Sequence, residues 1–159
     1  MSKVKDMMIT QVETCTPDTN LAEAGGKMWD NDCGILPVVD NESKLLGVIT
    51  DRDICISLAT RALPASQIRV GDVCSGTIYS CLPEDEIENA LQNMRTSRVR
   101  RLPVIDGEGK LAGLLSLDDV AIFAQDTSVK GVKITYKDVA LTFKDICGRR
   151  DFEAGKHSA

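Results

Sequence analysis

The fold of this chain is decided by ILPVVDNESKLLGVITDRDI, residues Ile35–Ile54, and by RLPVIDGEGKLAGLLSLDDV, residues Arg101–Val120. The two stretches align without a gap at an offset of 66 residues, and the same offset matches Val4–Met28 with Val70–Met94. Self-similarity at a fixed period indicates one structural unit that is repeated. The sequence therefore predicts two copies of a single unit.

Each repeat is predicted to have the element order βαββα, which makes the chain an α+β protein. Apolar side chains at helical spacing and strand-like runs give the elements of the first repeat as Val12–Thr16, Asn20–Asp32, Ile35–Val39, Leu45–Ile49 and Asp51–Thr60. In the second repeat the same reading gives a strand at Ile78–Leu82, helices at Glu84–Ser97 and Leu117–Gln125, and a hairpin turn at Asp106–Gly109.

Four segments follow from this pattern: repeat 1 at 1–60, a linker at 61–67, repeat 2 at 68–125, and a C-terminal helix with a polar tail at 126–159. The linker contains Pro64, which favours an irregular connection. The C-terminal helix is predicted from the capping box of Thr135 and Asp138 and from the stop at Gly148.

Composition limits the classes of protein to which the chain can belong. It has 159 residues, 43% of them hydrophobic and 27% charged, which is ordinary globular usage. Its longest charge-free run is eleven residues, Val73–Pro83, too short for a transmembrane helix. The start shows no secretory signal, so we expect a cytoplasmic protein.

The net charge of −5 argues against general nucleic-acid binding. The six cysteines form no C-x-x-C motif and are expected to be reduced.

The candidate chemistry lies where the third strand of each repeat meets the second helix. Thr50 is followed three residues later by Asp53, and Ser116 in the same way by Asp119. This spacing is typical of a capping box. A helix N-terminus with a hydroxyl also favours a phosphate, while a carboxylate accepts hydrogen bonds from ribose hydroxyls. From the residues alone, both interpretations stay open.

With these motifs the sequence resembles a tandem pair of cystathionine β-synthase (CBS) domains from about Val4 to Gln125. The resemblance implies two βαββα repeats packed through their sheets with pseudo-twofold symmetry, followed here by the C-terminal helix. It also implies two clefts for an adenosine-type regulatory ligand, such as AMP, ADP, ATP or S-adenosylmethionine, with no tightly bound cofactor.

The resemblance also assigns roles to individual residues. Asp53 and Asp119 would hold ribose, and Thr50 and Ser116 would lie near the ribose and phosphate. The partner repeat would supply the adenine wall: Met8–Thr10 and Cys33–Ile35, including Thr10 and Ile35, for the Asp119 cleft, and Cys74–Gly76 and Val99–Arg101 for the Asp53 cleft.

Phosphate binding is expected from Arg100 and Arg101, which resemble a His or Arg pair in family members that sense nucleotides. On that ground the Asp119 cleft is expected to bind phosphorylated adenosines more tightly. Arg52, in the first turn of a helix, is a further phosphate candidate. A solvated basic edge is the alternative interpretation of the arginine pair.

The function predicted from the sequence is a regulatory or sensor module that modulates an unidentified protein effector or its own dimer. A ligand-free dimerisation or scaffold module is the alternative. No catalytic or metal site is expected, because the sequence shows no nucleophile–base pair and its one histidine is His157. A homodimer is expected because Trp29 and the apolar positions of 54–58 and 120–123 are incompletely covered within one chain.

Overall fold

The computed structural model describes residues 2–125 and 134–148, so the predicted tail at 149–159, including His157, lies outside the described residues. In the described part the elements are α1 Leu21–Asp30, β1 Ile35–Val39, β2 Leu45–Thr50, α2 Asp51–Arg61, α3 Ile87–Ser97, β3 Arg101–Ile105, β4 Leu111–Ser116, α4 Leu117–Phe123 and α5 Tyr136–Cys147. Short 3-10 turns lie at Val4–Asp6, Ala65–Gln67 and Val70–Asp72. No helix among these residues is long and apolar enough to cross a membrane.

Two equivalent hairpins form the centres of the repeats. Strand β1 pairs antiparallel with β2, and β3 pairs antiparallel with β4, with a register irregularity at the same place in each. One carboxylate oxygen of Asp40, and likewise of Asp106, accepts two backbone N–H groups of its own turn at 2.8–2.9 Å. The sequence predicted both hairpins, and in the first of them β2 continues one residue further than predicted, to Thr50.

The helices of the repeats lie where the apolar spacing predicts them, but some are shorter. Helix α1 begins at Leu21 because the Asn20 side chain caps it, accepting the Glu23 N–H at 2.9 Å. Helix α3 begins at Ile87, three residues after the predicted Glu84, because the chain still forms a turn there. The predicted apolar stripes of both helices are buried.

The first strand predicted for each repeat is reduced to one bridging residue, at Cys15 within Val12–Thr16 and at Cys81 within Ile78–Leu82. Cys15 donates its N–H to the Pro37 carbonyl at 3.1 Å and accepts the Val39 N–H at 2.9 Å. Pro37 in the neighbouring strand has no N–H to extend this ladder, and Pro17 ends the segment two residues later. The prediction of a full strand was therefore too long.

The two repeats are related by a pseudo-twofold axis. Pairs of residues bridge the two repeats, and each pair has an equivalent in which both residues are replaced by their counterparts 66 positions away. Ile9–Leu114 is equivalent to Ser75–Val48, and Asn20–Arg69 is equivalent to Glu86–Lys3. The pair Lys44–Lys110 is its own equivalent. This reciprocity, in which each repeat binds its partner through the same positions, is the arrangement that the resemblance implied.

The segments that enter the repeats are exchanged between them. Val4 and Met7 lie at the start of the first repeat but pack in the buried core of the second, with Leu102 and Leu115. Ile68 and Val70 lie at the start of the second repeat but pack in the core of the first. Each core is therefore completed by chain from the other half, which ties the two repeats together.

The predicted C-terminal helix is present as α5, and it packs on α3 and α4 of the second repeat. Val139 and Ile146 contact the core there. Arg95 of α3 donates from Nε to the hydroxyl of the fully buried Thr142 at 2.8 Å and from Nη2 to the Asp138 carbonyl at 3.2 Å. These two bonds fix the register of α5 on the second repeat.

Replacing Gly113 by alanine is expected to destabilise the chain by about 1–3 kcal/mol, the usual cost of overpacking. A Cβ at Gly113 would lie 2.5 Å from the Ile9 carbonyl oxygen, so the crossing backbone would have to move. Urea denaturation measures the loss. Gly107→Ala is the control, because a Cβ there meets nothing within 4 Å. Equal stability of the two variants would show that the backbones do not cross so closely.

Candidate functional site

The junction of β2 and α2 places Thr50 and Asp53 in direct contact. The Thr50 hydroxyl accepts the Asp53 N–H at 3.2 Å, while Oδ2 of Asp53 accepts the Thr50 N–H at 2.9 Å and its hydroxyl at 2.7 Å. These bonds use the Thr50 oxygen and one carboxylate oxygen. Oδ1 of Asp53 has no hydrogen bond within residues 2–125 and 134–148, which leaves an acceptor at a half-buried position.

The junction of β4 and α4 repeats this geometry. Oδ2 of Asp119 accepts the Ser116 N–H at 2.8 Å and its hydroxyl at 2.6 Å, and the Ser116 hydroxyl accepts the Asp119 N–H at 3.0 Å. Asp119 is half-buried, whereas Ser116 is buried. Among the described residues, the two candidate sites therefore have the same carboxylate oxygen, Oδ1, without a hydrogen bond at equivalent places.

Helix α5 has a capping box of the same form outside either cleft. Oδ2 of Asp138 accepts from the N–H and hydroxyl of Thr135 at 2.9 and 2.7 Å. The hydrogen bond from the Thr135 hydroxyl is the main cause that holds the pKa of Asp138 below its usual value. The same box thus caps a helix away from both clefts, and a ligand site needs more than the box.

The capping boxes at Asp53 and Asp119 differ from the box at Asp138 in their surroundings, because backbone of the partner repeat crosses beside each of them. Ser75 donates its N–H to the Val48 carbonyl at 3.0 Å, and a Cβ at Gly47 would lie 2.7 Å from the Ser75 carbonyl oxygen. Ile9 makes the equivalent crossing at Gly113. Each glycine is required for this approach, so backbone of the partner repeat passes close to each capping box.

The side chain at the back of each cleft differs between the repeats. Cys74 Sγ lies 3.5 Å from the Cβ position of Gly47, and the Met8 sulfur occupies the matching place at Gly113. Burial, with a smaller effect of the Asp53 charge, raises the pKa of the Cys74 thiol above its usual value. All six cysteines are free thiols.

Arg100 and Arg101 line an open cavity of about 560 Å³. Its other walls come from repeat 1: Gly25, Met28, Trp29, Asp32, Cys33, Gly34, Asp51 and Ile54. Arg101 also lies 4.0 Å from the Asp118 carboxylate. The arginine pair therefore lies between the repeats, but neither Asp53 nor Asp119 lines this cavity.

The remaining predicted site residues lie in three different places. Arg52 is exposed in the first turn of α2. Thr10 lines a smaller cavity, about 190 Å³, beside Gly113 and therefore near the second cleft. Ile35 is buried in β1 opposite Thr50, which places it inside repeat 1.

Sequence reasoning missed two features near these residues. Asp53 lines a cavity of about 240 Å³ with Ser57, whose hydroxyl is buried without a hydrogen-bond partner among the described residues. Gly25 lies in α1 where an added Cβ would meet nothing within 4 Å. The adjacent glycines of α1 were a visible signal, because each costs about 1 kcal/mol relative to alanine within a helix.

Comparison with known proteins identifies the repeats. The family model for the CBS domain matches residues 4–60 and 70–126. The CBS domain-containing protein YhcV of Bacillus subtilis is 35% identical over 135 residues, covering 85% of this chain and 94% of that protein.

Two solved structures have the same fold. The structure of Hypoxic Response Protein I with two coordinated zinc ions is 29% identical, with a TM-score of 0.71 over 78% of this chain and 100% of the other. The structure of CBSX2 in complex with AMP is 25% identical, with a TM-score of 0.68 over 77% and 95%. Residues 2–125 and 134–148 of this chain contain no group of three or more His, Cys, Asp or Glu placed to hold a metal ion.

Proposed function

We propose, because this chain belongs to the CBS domain family, that it is a regulatory module that binds an adenosine-type ligand in the clefts beside Asp53 and Asp119. Binding would modulate a protein effector or the dimer of the chain itself. The six free cysteines are consistent with the cytoplasmic location that we propose for it.

The observation that carries the proposal is the free carboxylate oxygen at each cleft. Oδ2 of Asp53 and of Asp119 is used in capping, whereas Oδ1 of each has no hydrogen bond to the residues that the structure describes. A carboxylate is an acceptor only and binds the paired hydroxyls of a ribose well. CBSX2, which has this fold, has been solved with AMP.

The arginine pair between the two repeats supports a phosphorylated ligand. Arg100 and Arg101 line one open cavity, and guanidinium groups bind phosphate through charge-assisted hydrogen bonds. Thermal denaturation with a series of ligands distinguishes the phosphorylated adenosines from one another and from S-adenosylmethionine. The proposal includes no catalytic step.

A scaffold without a ligand is the second candidate. It is favoured by the Thr135–Asp138 capping box, which has the same geometry away from Asp53 and Asp119. If all three boxes serve only as caps, no nucleotide should stabilise the protein.

Thermal denaturation with AMP, ADP, ATP, S-adenosylmethionine, NAD and cyclic dinucleotides tests the proposal. A ligand at 100 times its Kd is expected to raise the free energy of unfolding by about 2.7 kcal/mol, because it binds the folded state alone. Adenine-containing ligands should raise the melting temperature, and guanine mononucleotides serve as the matched control. A series in which no adenosine compound raises it would favour the scaffold.

A further inference from the structure

Ser57 in helix α2 carries a buried hydroxyl that the rest of the described chain does not satisfy. The residue is only 5% exposed, and its Oγ makes no hydrogen bond within residues 2–125 and 134–148. Buried polar groups in folded proteins nearly always have a hydrogen-bond partner, because leaving one unpaired costs free energy. The exception at Ser57 therefore points to a partner from outside the chain.

Other hydroxyls in the helices of this chain are satisfied by the helix itself. Thr60 donates to the Ile56 carbonyl at 2.8 Å, and Thr142 donates to the Asp138 carbonyl at 2.8 Å. The carbonyl four residues earlier is the usual acceptor for a hydroxyl inside a helix. Ser57 does not make this bond, so its hydroxyl stays available.

Ser57 and Asp53 line the same cavity, which has a volume of about 240 Å³. They are four residues apart in α2, so they are neighbours on one face of the helix, with Cβ atoms about 5–6 Å apart. Asp72 and Val73, in the segment that enters repeat 2, form another wall, where Nη2 of Arg61 donates to the Asp72 carbonyl at 2.8 Å. Pockets that hold a whole small molecule measure roughly 300–1,000 Å³, so this cavity fits one part of a ligand.

The two side chains together fit a pair of neighbouring hydroxyls. Oδ1 of Asp53, which has no hydrogen bond among the described residues, can only accept. The Ser57 hydroxyl can donate or accept, and rotation about its one side-chain bond changes the wall that it faces. A ribose has two adjacent hydroxyls, of which one can donate to the carboxylate while the other binds the serine.

Repeat 2 lacks the second of these groups. Phe123 stands 66 residues after Ser57, at the equivalent place in α4, four residues after Asp119. Its phenyl ring is half exposed and carries no hydroxyl. The two repeats therefore share the carboxylate but differ one helical turn further on.

From these observations we propose that Ser57 binds the second ribose hydroxyl in the Asp53 cleft, so that this cleft selects ligands with both hydroxyls and the Asp119 cleft does not. The inference rests on the proposed function, because it names the part of the adenosine-type ligand that enters the cavity. It makes Ser57 the residue by which the two clefts distinguish a ribose from a deoxyribose.

Calorimetric titration of the Asp119→Ala chain, in which the Asp119 cleft is weakened, tests the proposal at the Asp53 cleft. The ligands are AMP, 2′-deoxy-AMP and 3′-deoxy-AMP. Both deoxy forms should bind less tightly than AMP, and the one that loses less affinity lacks the hydroxyl at Ser57, since the bond to the charged Asp53 is the stronger one. AMP should bind about 2- to 12-fold more tightly than this form, the range for one net hydrogen bond.

Adding Ser57→Ala to this chain should remove that difference. The affinity for AMP should fall by the same factor, while the affinity for the deoxy form without the hydroxyl at Ser57 should stay unchanged. Thr96→Ala is the matched control, because it removes a helix hydroxyl that donates to the Gln92 carbonyl at 3.0 Å, outside the cavity. It should change none of the affinities.

The Asp53→Ala chain reports the other cleft. AMP and the same deoxy form should bind it equally, because Phe123 has no hydrogen bond to offer the second hydroxyl. The comparison therefore assigns the selection to the Asp53 cleft alone.

The stability of the ligand-free chain separates a ligand contact from a structural role. Ser57→Ala removes an unpaired buried hydroxyl, so the midpoint of urea denaturation should not fall. Thr142→Val removes a buried helix hydroxyl that bonds to Arg95 and to the Asp138 carbonyl, so it should lower the midpoint.

Three results would overturn the role of Ser57 while the proposed function stands. They are binding of AMP to the unmodified chain but not to the Asp119→Ala chain, an unchanged preference for AMP in the Ser57→Ala variant, and a lower urea midpoint of that variant. A chain that binds no adenosine compound at all would instead overturn the proposed function, and this inference with it.

Discussion

Replacing Asp119 by alanine is expected to weaken AMP binding by about 10- to 150-fold while the chain stays folded. The variant removes the free Oδ1 that would accept a ribose hydroxyl, and a hydrogen bond to a charged group contributes roughly 1.5–3 kcal/mol. Calorimetric titration of AMP measures the loss. The same titration of Asp53→Ala should show a smaller change if the Asp119 cleft is the tighter site, as the sequence predicts.

Asp138→Ala is the matched control for this experiment. It removes a capping carboxylate with the same hydrogen bonds, but at α5 and away from both clefts. Both variants should lose about 1 kcal/mol of folding stability in chemical denaturation, because each loses a cap. Only Asp119→Ala should lose affinity. If it binds AMP as well as the unmodified chain does, the ribose assignment is wrong and the scaffold function is preferred.

The sequence predicted the hairpins and capping boxes because local patterns determine them. Asp40 and Asp106 bind the N–H groups of their own turns, and Thr50 and Asp53 bind each other three residues apart. Such contacts join residues near in sequence, so spacing is sufficient to predict them. The length of the first strand was mispredicted because pairing at Cys15 depends on Pro37, 22 residues away.

The features that depend on the packing of the two halves could not be read from spacing. Only the structure shows that the Ile9 backbone lies close to Gly113. The exchange of Val4 and Ile68 between the cores is a tertiary effect of the same kind. No local pattern records which element a segment will pack against.

The position of α5 illustrates the same limit. Its capping box and apolar spacing predicted a helix, and the helix is present at Tyr136–Cys147. That it packs on repeat 2 depends on Arg95, whose side chain reaches Thr142 47 residues later. The alignment of the repeats pairs Arg95 with Trp29, so the sequence did contain the asymmetry, although not its structural meaning.

The Arg100→Ala, Arg101→Ala double variant is expected to abolish the preference for AMP over adenosine. In the unmodified chain AMP should bind at least about tenfold more tightly, since each charge-assisted hydrogen bond to phosphate contributes roughly 1.5–3 kcal/mol. In the double variant the affinity for AMP should fall to that for adenosine, which makes no such contact and should bind as before. Calorimetric titration of both ligands with both proteins measures the four affinities.

Two further measurements of the preference for AMP over adenosine, one on a variant of a distant arginine and one at raised salt, distinguish a phosphate site from general charge attraction. Arg69 is the control: it is exposed, pairs with Asp18 at 2.9 Å and lies outside the cavity of the arginine pair, so Arg69→Ala should leave the preference for AMP unchanged. Raising the salt concentration should reduce the preference in the unmodified chain, because Arg100 is exposed and its field is screened over about 10 Å at 0.1 M. Equal affinities of the unmodified chain for AMP and adenosine at low salt would remove the phosphate role of the pair and leave it as a solvated basic edge.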